Sequence, residues 1–105
     1  MSPGAVRVIA TARARRETRE TVAELLRSLV EPTLKERGCI EYALHVDTLD
    51  DLQFVFVEEW ESEAALNVHL QASHVAPVLA ALPALLDGDP VIRLYSKIAG
   101  GTPGV

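Results

Sequence analysis

Three histidines, one tryptophan and one cysteine are the side chains of this sequence best suited to chemistry: His45, His69, His74, Trp60 and Cys39. An imidazole exchanges protons near neutrality and ligates metals, so each histidine is read first as a base or a ligand. No two of them stand three or four residues apart, the spacing that sets a ligand pair on one helix face, and no metal site is expected. The motifs HExxH, CxxC and GxSxG, a P-loop and a Rossmann glycine fingerprint are all missing. A lone cysteine closes no disulfide within the chain, and Cys39, between a helix stop and a strand, reads as a small buried hydrophobe. His69 falls on the apolar side of a helical pattern. It is either a core histidine bonded to a backbone carbonyl or to Glu58, or a base or substrate anchor in an apolar cavity. Trp60 either plugs the gap between sheet and helix or forms a wall on which a planar substrate stacks. Tyr42 and Tyr95 read as core-edge tyrosines, and His74 as a residue at a helix start.

Position is set by the elements that carry these residues. Val6 to Ala14 alternates as a strand, and Arg15 to about Glu36 takes a helical period through Val22, Leu25, Leu26, Leu29 and Thr33, with Pro32 kinking it and Gly38 stopping it. The Arg13, Arg15, Arg16 and Arg19 cluster, interleaved with Glu17 and Glu20, reads as a solvated helix entrance. Ile40 to Asp47 and Phe54 to Trp60 form a hairpin around the polar residues 48–52. A helix begins at Ser62 and runs to about Gln71. Another, capped by Ser73, begins near His74, takes Pro77 in its first turn and bends at Pro83. After the turn Asp87-Gly88-Asp89-Pro90, Val91 to Ile98 is the last strand, and residues 100–105 should fray.

The order is βαββαβ, the ferredoxin-like α+β plan: a four-stranded antiparallel sheet with helices on one face. Phe54, Phe56 and Trp60 share one side of the third strand and Val55 and Val57 the other. In the fourth strand Ile92 and Leu94 oppose Val91 and Tyr95. Both faces therefore want cover, and only one can be covered by the chain's own helices. A homodimer closing sheet on sheet is the expected answer.

Composition bounds the rest. With 105 residues, 49% of them hydrophobic, the chain makes one domain, core residues 4–98, that buries about 65% of its unfolded surface. Ten Lys+Arg against fifteen Asp+Glu give a net charge of −5, which argues against nucleic acid or anionic lipid as a partner. No apolar run reaches the length of a membrane span, and Met-Ser-Pro-Gly is not followed by a signal peptide's apolar block, so a cytoplasmic location is expected. The mean hydropathy of +0.16 is high for so small a domain.

Gly38-Cys39-Ile40-Glu41-Tyr42 leading to Asp47, then residues 54–62 ending Glu58-Glu59-Trp60-Glu61-Ser62, and Ala65-Leu66 through His69 to Ser73-His74, resemble the antibiotic biosynthesis monooxygenase domain. The likeness covers residues 4–98. It implies a dimeric α+β barrel of ferredoxin-like subunits. It also implies a cofactor-independent monooxygenase that deprotonates a small quinol or phenol and lets the anion reduce O₂ in a dry, apolar pocket. By that resemblance Trp60 lines the pocket and His69 takes the proton or anchors the substrate, with His74 as a second catalytic candidate. Tyr42, His45, Phe54, Phe56 and Leu66 bind substrate, and no cofactor is needed. Two departures narrow the class. Anthrone oxygenases of this family carry asparagine and tyrosine where this chain has Phe56 and Leu66. Its heme degraders share a histidine at the place of His69 but need an asparagine on the first strand, and none occurs between Val6 and Arg16. The alternatives are a non-catalytic dimeric domain that binds a small ligand, or a heme-degrading or isomerase member of the family.

Overall fold

The computed structural model describes residues 4–104. Met1 to Pro3 and Val105, which belong to the chain start and the glycine-rich tail discussed above, lie outside the described residues. Four strands, β1 (Val6–Arg13), β2 (Cys39–Val46), β3 (Gln53–Trp60) and β4 (Val91–Tyr95), form one antiparallel sheet in the order β2-β3-β1-β4. Helices α1 (Arg19–Arg27), α2 (Val30–Leu34), α3 (Glu63–Leu70) and α4 (Ala76–Ala81) cover one face, with 3₁₀ turns at Arg16–Thr18 and Leu82–Ala84. This is the expected ferredoxin-like plan.

Register assigns each side chain to a face. Val6, Val8, Ala10 and Ala12 stand opposite Trp60, Glu58, Phe56 and Phe54, and these inward residues meet Tyr42, Leu44 and Val46 of β2. The period of two leaves Ile9, Ala43, Val55, Val57, Val91 and Tyr95 on the outer face, where none is buried. That face carries the Arg7 ion pairs to Glu41 and Glu59 and no helix. No helix among the described residues is long and apolar enough to cross a membrane.

Three expectations need correction. The helix expected over 15–36 is broken between Arg27 and Val30. Pro32 has no N–H for the carbonyl of Ser28, and its ring crowds that carbonyl, so the backbone steps aside there rather than kinking later. Ser73 does not cap the next helix: α4 starts only at Ala76, and its cap residue Val75 makes no side-chain bond. The last strand ends at Tyr95 instead of Ile98: among the described residues its partner is β1, and their pairing ends at Arg7 and Tyr95, one residue from the start of β1. Elsewhere the local chemistry acts as read. Ser62 caps α3 by accepting the Ala65 N–H at 3.1 Å, and Asp47 and Asp50 fold the hairpin loop by accepting the N–H groups of Leu49 and Leu52. The arginine cluster is more engaged than expected. Arg13 pairs with Asp50 and Asp87 and Arg16 with Asp51, tying the helix entrance to two loops.

Gly38, between α2 and β2, has φ +86°, which any other residue would hold under strain, and a Cβ there would stand 2.7 Å from the Cβ of Ala65. The stop signal thus also lets the end of the first crossover lie directly against α3.

Candidate active site

Between the inner sheet face and the helices lies a cavity of about 60 Å³. Ala10, Ala12, Tyr42, Phe54, Phe56 and Glu58 form its sheet wall, and Leu26, Leu29, His69, Leu70 and Leu82 its helix wall, with Pro90 and Ile92 toward β4. The wall is almost wholly apolar, and Thr11, Tyr42, Glu58 and His69 are its polar members.

His69 reaches this wall because Leu66, His69 and Leu70 share the inward stripe of α3. Its expected partner was a backbone carbonyl or Glu58, and the structure corrects this: the Nδ1–H donates to Glu36 Oε2 at 2.7 Å. A carboxylate only accepts, so Nδ1 carries the proton and Nε2 of the neutral ring is left as an acceptor. No fully buried side-chain nitrogen or oxygen lacks a partner among the described residues. Nε2 has no protein partner there, and His69 is one of the residues that line the cavity. The ring is packed between Trp60, at 4.7 Å between centroids, and Tyr42, at 5.4 Å edge-on.

Trp60 does not line the cavity. It is 0% exposed, and its indole N–H donates to Glu58 Oε1 at 2.8 Å. Glu58 and His69 form the wall and the indole lies behind them, so Trp60 supports the site and offers substrate no surface. Leu66 is buried in the core but also outside the cavity wall, where Leu70, one turn on, takes the place expected for it. His45 pairs with Val55 on the outward row of β2 and is exposed, which removes it from the site: a period of two sends it to the face opposite Tyr42. Tyr42, Phe54 and Phe56 do line the cavity. His74 does not, but its Nε2 stands 2.9 Å from the same Glu36 oxygen and 3.1 Å from Thr33 Oγ1.

Glu36, His69 and His74 thus bring three ligand atoms within 4.8 Å of one another, from parts of the chain that sequence spacing could not relate. Ligand atoms around a tetrahedral ion at 2.0–2.1 Å stand about 3.3 Å apart. The 2.7 and 2.9 Å separations to Oε2 are those of hydrogen bonds, and the set would have to open by about 0.5 Å to hold a divalent cation.

Glu36 was missed from the sequence, and Glu58 was named there only as a possible partner of His69 and not as a residue of the site. Nothing in the sequence marks Glu36, whose partners come from another crossover. Glu58 did carry a signal, since a carboxylate at 58 interrupts the inward row 54, 56, 58, 60 of an otherwise apolar strand face. Burial, with a smaller contribution from the charge of Glu36 and against the Trp60 N–H, pushes its pKa up to about 7. Among the described residues no basic side chain pairs with its carboxylate, because Arg7 reaches only its backbone oxygen, from the outer face. Burial, then the charge of Glu58, raises the Tyr42 phenol, and burial raises the Cys39 thiol to about 11, so both stay protonated at neutral pH.

The Glu58 shift has a direction in stability. Native Glu58 holds its proton more tightly than the unfolded chain does, so its contribution is complete below about pH 4.5 and is lost as pH rises through about 7. Glu58→Gln keeps an acceptor for the indole and abolishes that loss. The difference in unfolding free energy, variant minus wild type, should rise by about 2–3 kcal/mol between pH 4.5 and pH 8 in urea titrations. A difference that does not change with pH would contradict the burial argument.

Comparison with known proteins agrees with the fold. The family model described as antibiotic biosynthesis monooxygenase matches residues 5–80. The chain is 34% identical over 83 residues to an uncharacterized protein, sll1783, of Synechocystis sp., covering 79% of this chain and 56% of that protein. It is 37% identical over 65 residues to a protein of Escherichia coli K12 named "Probable quinol monooxygenase YgiN", covering 54% and 62%. The chain thus spans about three-fifths of the length of these curated relatives. Among solved structures, one described as an antibiotic biosynthesis monooxygenase is 34% identical, with a TM-score of 0.85 over 90% of this chain and 99% of that one. Rv0793 from Mycobacterium tuberculosis is 25% identical, with a TM-score of 0.89 over 94% and 100%.

Proposed function

The chain belongs to the antibiotic biosynthesis monooxygenase family, and from that premise we propose that it is a cofactor-independent monooxygenase converting a small phenol or quinol with O₂. The observation that carries the reading is His69, an oriented imidazole acceptor in the wall of an apolar cavity. His69 Nε2 takes the proton of a substrate hydroxyl, and the Glu36 carboxylate behind Nδ1 holds the ring and stabilises the imidazolium that forms. The electron-rich anion then reduces O₂ and forms a carbon–oxygen bond at a ring carbon. For a phenol with a free ring position the balance is phenol + O₂ → quinone + H₂O, with both electrons beyond those of the new bond supplied by the substrate. Leu26, Leu29, Phe54, Phe56 and Leu82 keep water from the anion. At about 60 Å³ the cavity is smaller than the roughly 150 Å³ apolar cavity that holds benzene, so entry of a ring requires the wall to part.

A second copy of the chain is the proposed partner, seated on the outer face. The accessible surface of 6,654 Å² exceeds the roughly 5,800 Å² of a compact monomer of this mass, and the uncovered apolar row of Ile9, Val55, Val57, Val91 and Tyr95 is part of that surplus.

Purified protein freed of metal and flavin should sediment as a dimer and accelerate O₂ uptake with a panel of quinols, naphthols and dihydroxynaphthalenes, followed by an oxygen electrode. A dimer that accelerates none of them would leave a small-ligand-binding domain as the better reading.

A further inference from the structure

Removing a phenolic proton and adding O₂ does not complete a monooxygenation. The His69 imidazolium formed in the first step gives its proton to the new peroxide, which restores neutral Nε2; the ring carbon then carries its hydrogen and a hydroperoxide group, and becomes a carbonyl only when the C–H proton leaves and the O–O bond breaks. In that step the C–H electron pair forms the second bond to oxygen, the distal oxygen is reduced to hydroxide, and hydroxide needs a proton to leave as water. Two proton-exchanging groups are thus required together, one to take and one to give. His69 is one.

Resting on the oxygenase reading, the geometry points to Glu58 as the second: its carboxylic acid protonates the departing hydroxide while His69 Nε2 removes the C–H proton. The imidazolium then returns a proton to the Glu58 carboxylate, so the site closes its cycle with no net gain or loss.

Four observations lead to this residue. Glu58 and His69 line the same cavity from opposite walls, sheet and helix. Glu58 Oε1 is fixed by the Trp60 N–H at 2.8 Å. Its Oε2 has no protein partner among the described residues and, since no fully buried side-chain oxygen there is orphaned, keeps accessible surface. The same indole packs against the His69 ring, so one rigid side chain sets both groups. Finally, the groups around Glu58 favour its protonated form: Tyr42 across the β2–β3 ladder is neutral, Glu36 raises its pKa, and among the described residues no cation pairs with the carboxyl. A pKa near 7 makes it a far better match for a donor at neutral pH than Tyr42, the cavity's other hydroxyl, whose raised phenol gives up its proton reluctantly.

The test is Glu58→Gln on the full chain with 1-naphthol, comparing O₂ uptake with quinone formation in a stopped-flow burst. Wild type should form quinone in step with O₂ consumed. The variant should consume about one O₂ per site in a burst while quinone lags, with kcat at least tenfold lower and KM for 1-naphthol within about twofold. Quinone in step with O₂ at the wild-type kcat overturns the proposal. A second measurement does not depend on turnover. The infrared carbonyl band of a protonated carboxyl, present in wild type at pH 6 and missing in Glu58→Gln, should shift when 2,4,6-trimethylphenol, blocked at its reactive positions, is added. No shift removes Glu58 from contact with a phenol and overturns the proposal by itself. Absence of O₂ uptake by wild type together with a clear shift would instead overturn the oxygenase reading, and the proton-donor step with it, while leaving Glu58 as a phenol-binding group.

Discussion

Replacing His69 with alanine is expected to lower O₂-dependent turnover at least tenfold while the chain stays folded. A positioned general base contributes about 10²–10⁴ in rate, and solvent or Glu58 can recover only part of it. The variant also removes the ring packed between Trp60 and Tyr42 and leaves Glu36 with His74 alone, a loss of about 1–3 kcal/mol that far-UV circular dichroism under urea would register without abolishing the fold. Glu36→Gln gives the useful contrast. It keeps an acceptor for Nδ1–H but not the charge that stabilises imidazolium, so its turnover should fall between wild type and His69→Ala. Unchanged turnover in His69→Ala at saturating substrate would sink the role assigned to this histidine and move the base to Glu58.

Trp60→Ala should be the most damaging single change to stability, at about 3–5 kcal/mol. The indole is fully enclosed, it is the largest side chain in the core, and its N–H is the partner of a buried carboxyl. Against a total of about 5–15 kcal/mol for a domain, this loss brings the protein close to unfolding at moderate temperature. Trp60→Phe separates the two contributions. It keeps most of the packing but deprives the ionised form of Glu58 of its donor, so the apparent pKa of Glu58 should move further up, seen in the pH dependence of its infrared carboxyl band. If Trp60→Ala melts within a degree or two of wild type, the indole is not the support it is taken for.

The βαββαβ order of elements, both crossovers and the two sides of the third and fourth strands were legible because they rest on period-two and helical repeats and on strong stop signals such as Gly38 and Ser62. His69 was legible for the same reason, being polar on an apolar stripe. The helix break at Ser28 was half legible: Pro32 announced a disturbance, but its steric conflict lies four residues earlier, which is where the chain gives way. Of the two readings of Trp60, the core plug is the one the structure shows, and the pocket wall implied by the resemblance fails for want of depth. A repeat says which face a side chain joins and not whether it ends at the cavity or behind its wall. His45 was misplaced for a different reason, because it was carried over with the resemblance although the alternation through Tyr42 and Leu44 already turned it outward. Glu36 lay beyond reach, since its role depends on how the first crossover meets the second, and that meeting is a tertiary distance.

Gly38 fixes that distance. Two residues after Glu36, it lets the chain lie against Ala65, four residues before His69 on the same helix. The missing side chain therefore works as a spacer of zero thickness between the carboxylate's segment and the imidazole's helix. Any side chain there would act as a wedge, lengthening the 2.7 Å contact before it touched the cavity itself. The contact between His69 and Glu36 thus depends on a position that carries no chemistry, at the back of the cavity, where even a methyl group meets both backbone strain and Ala65.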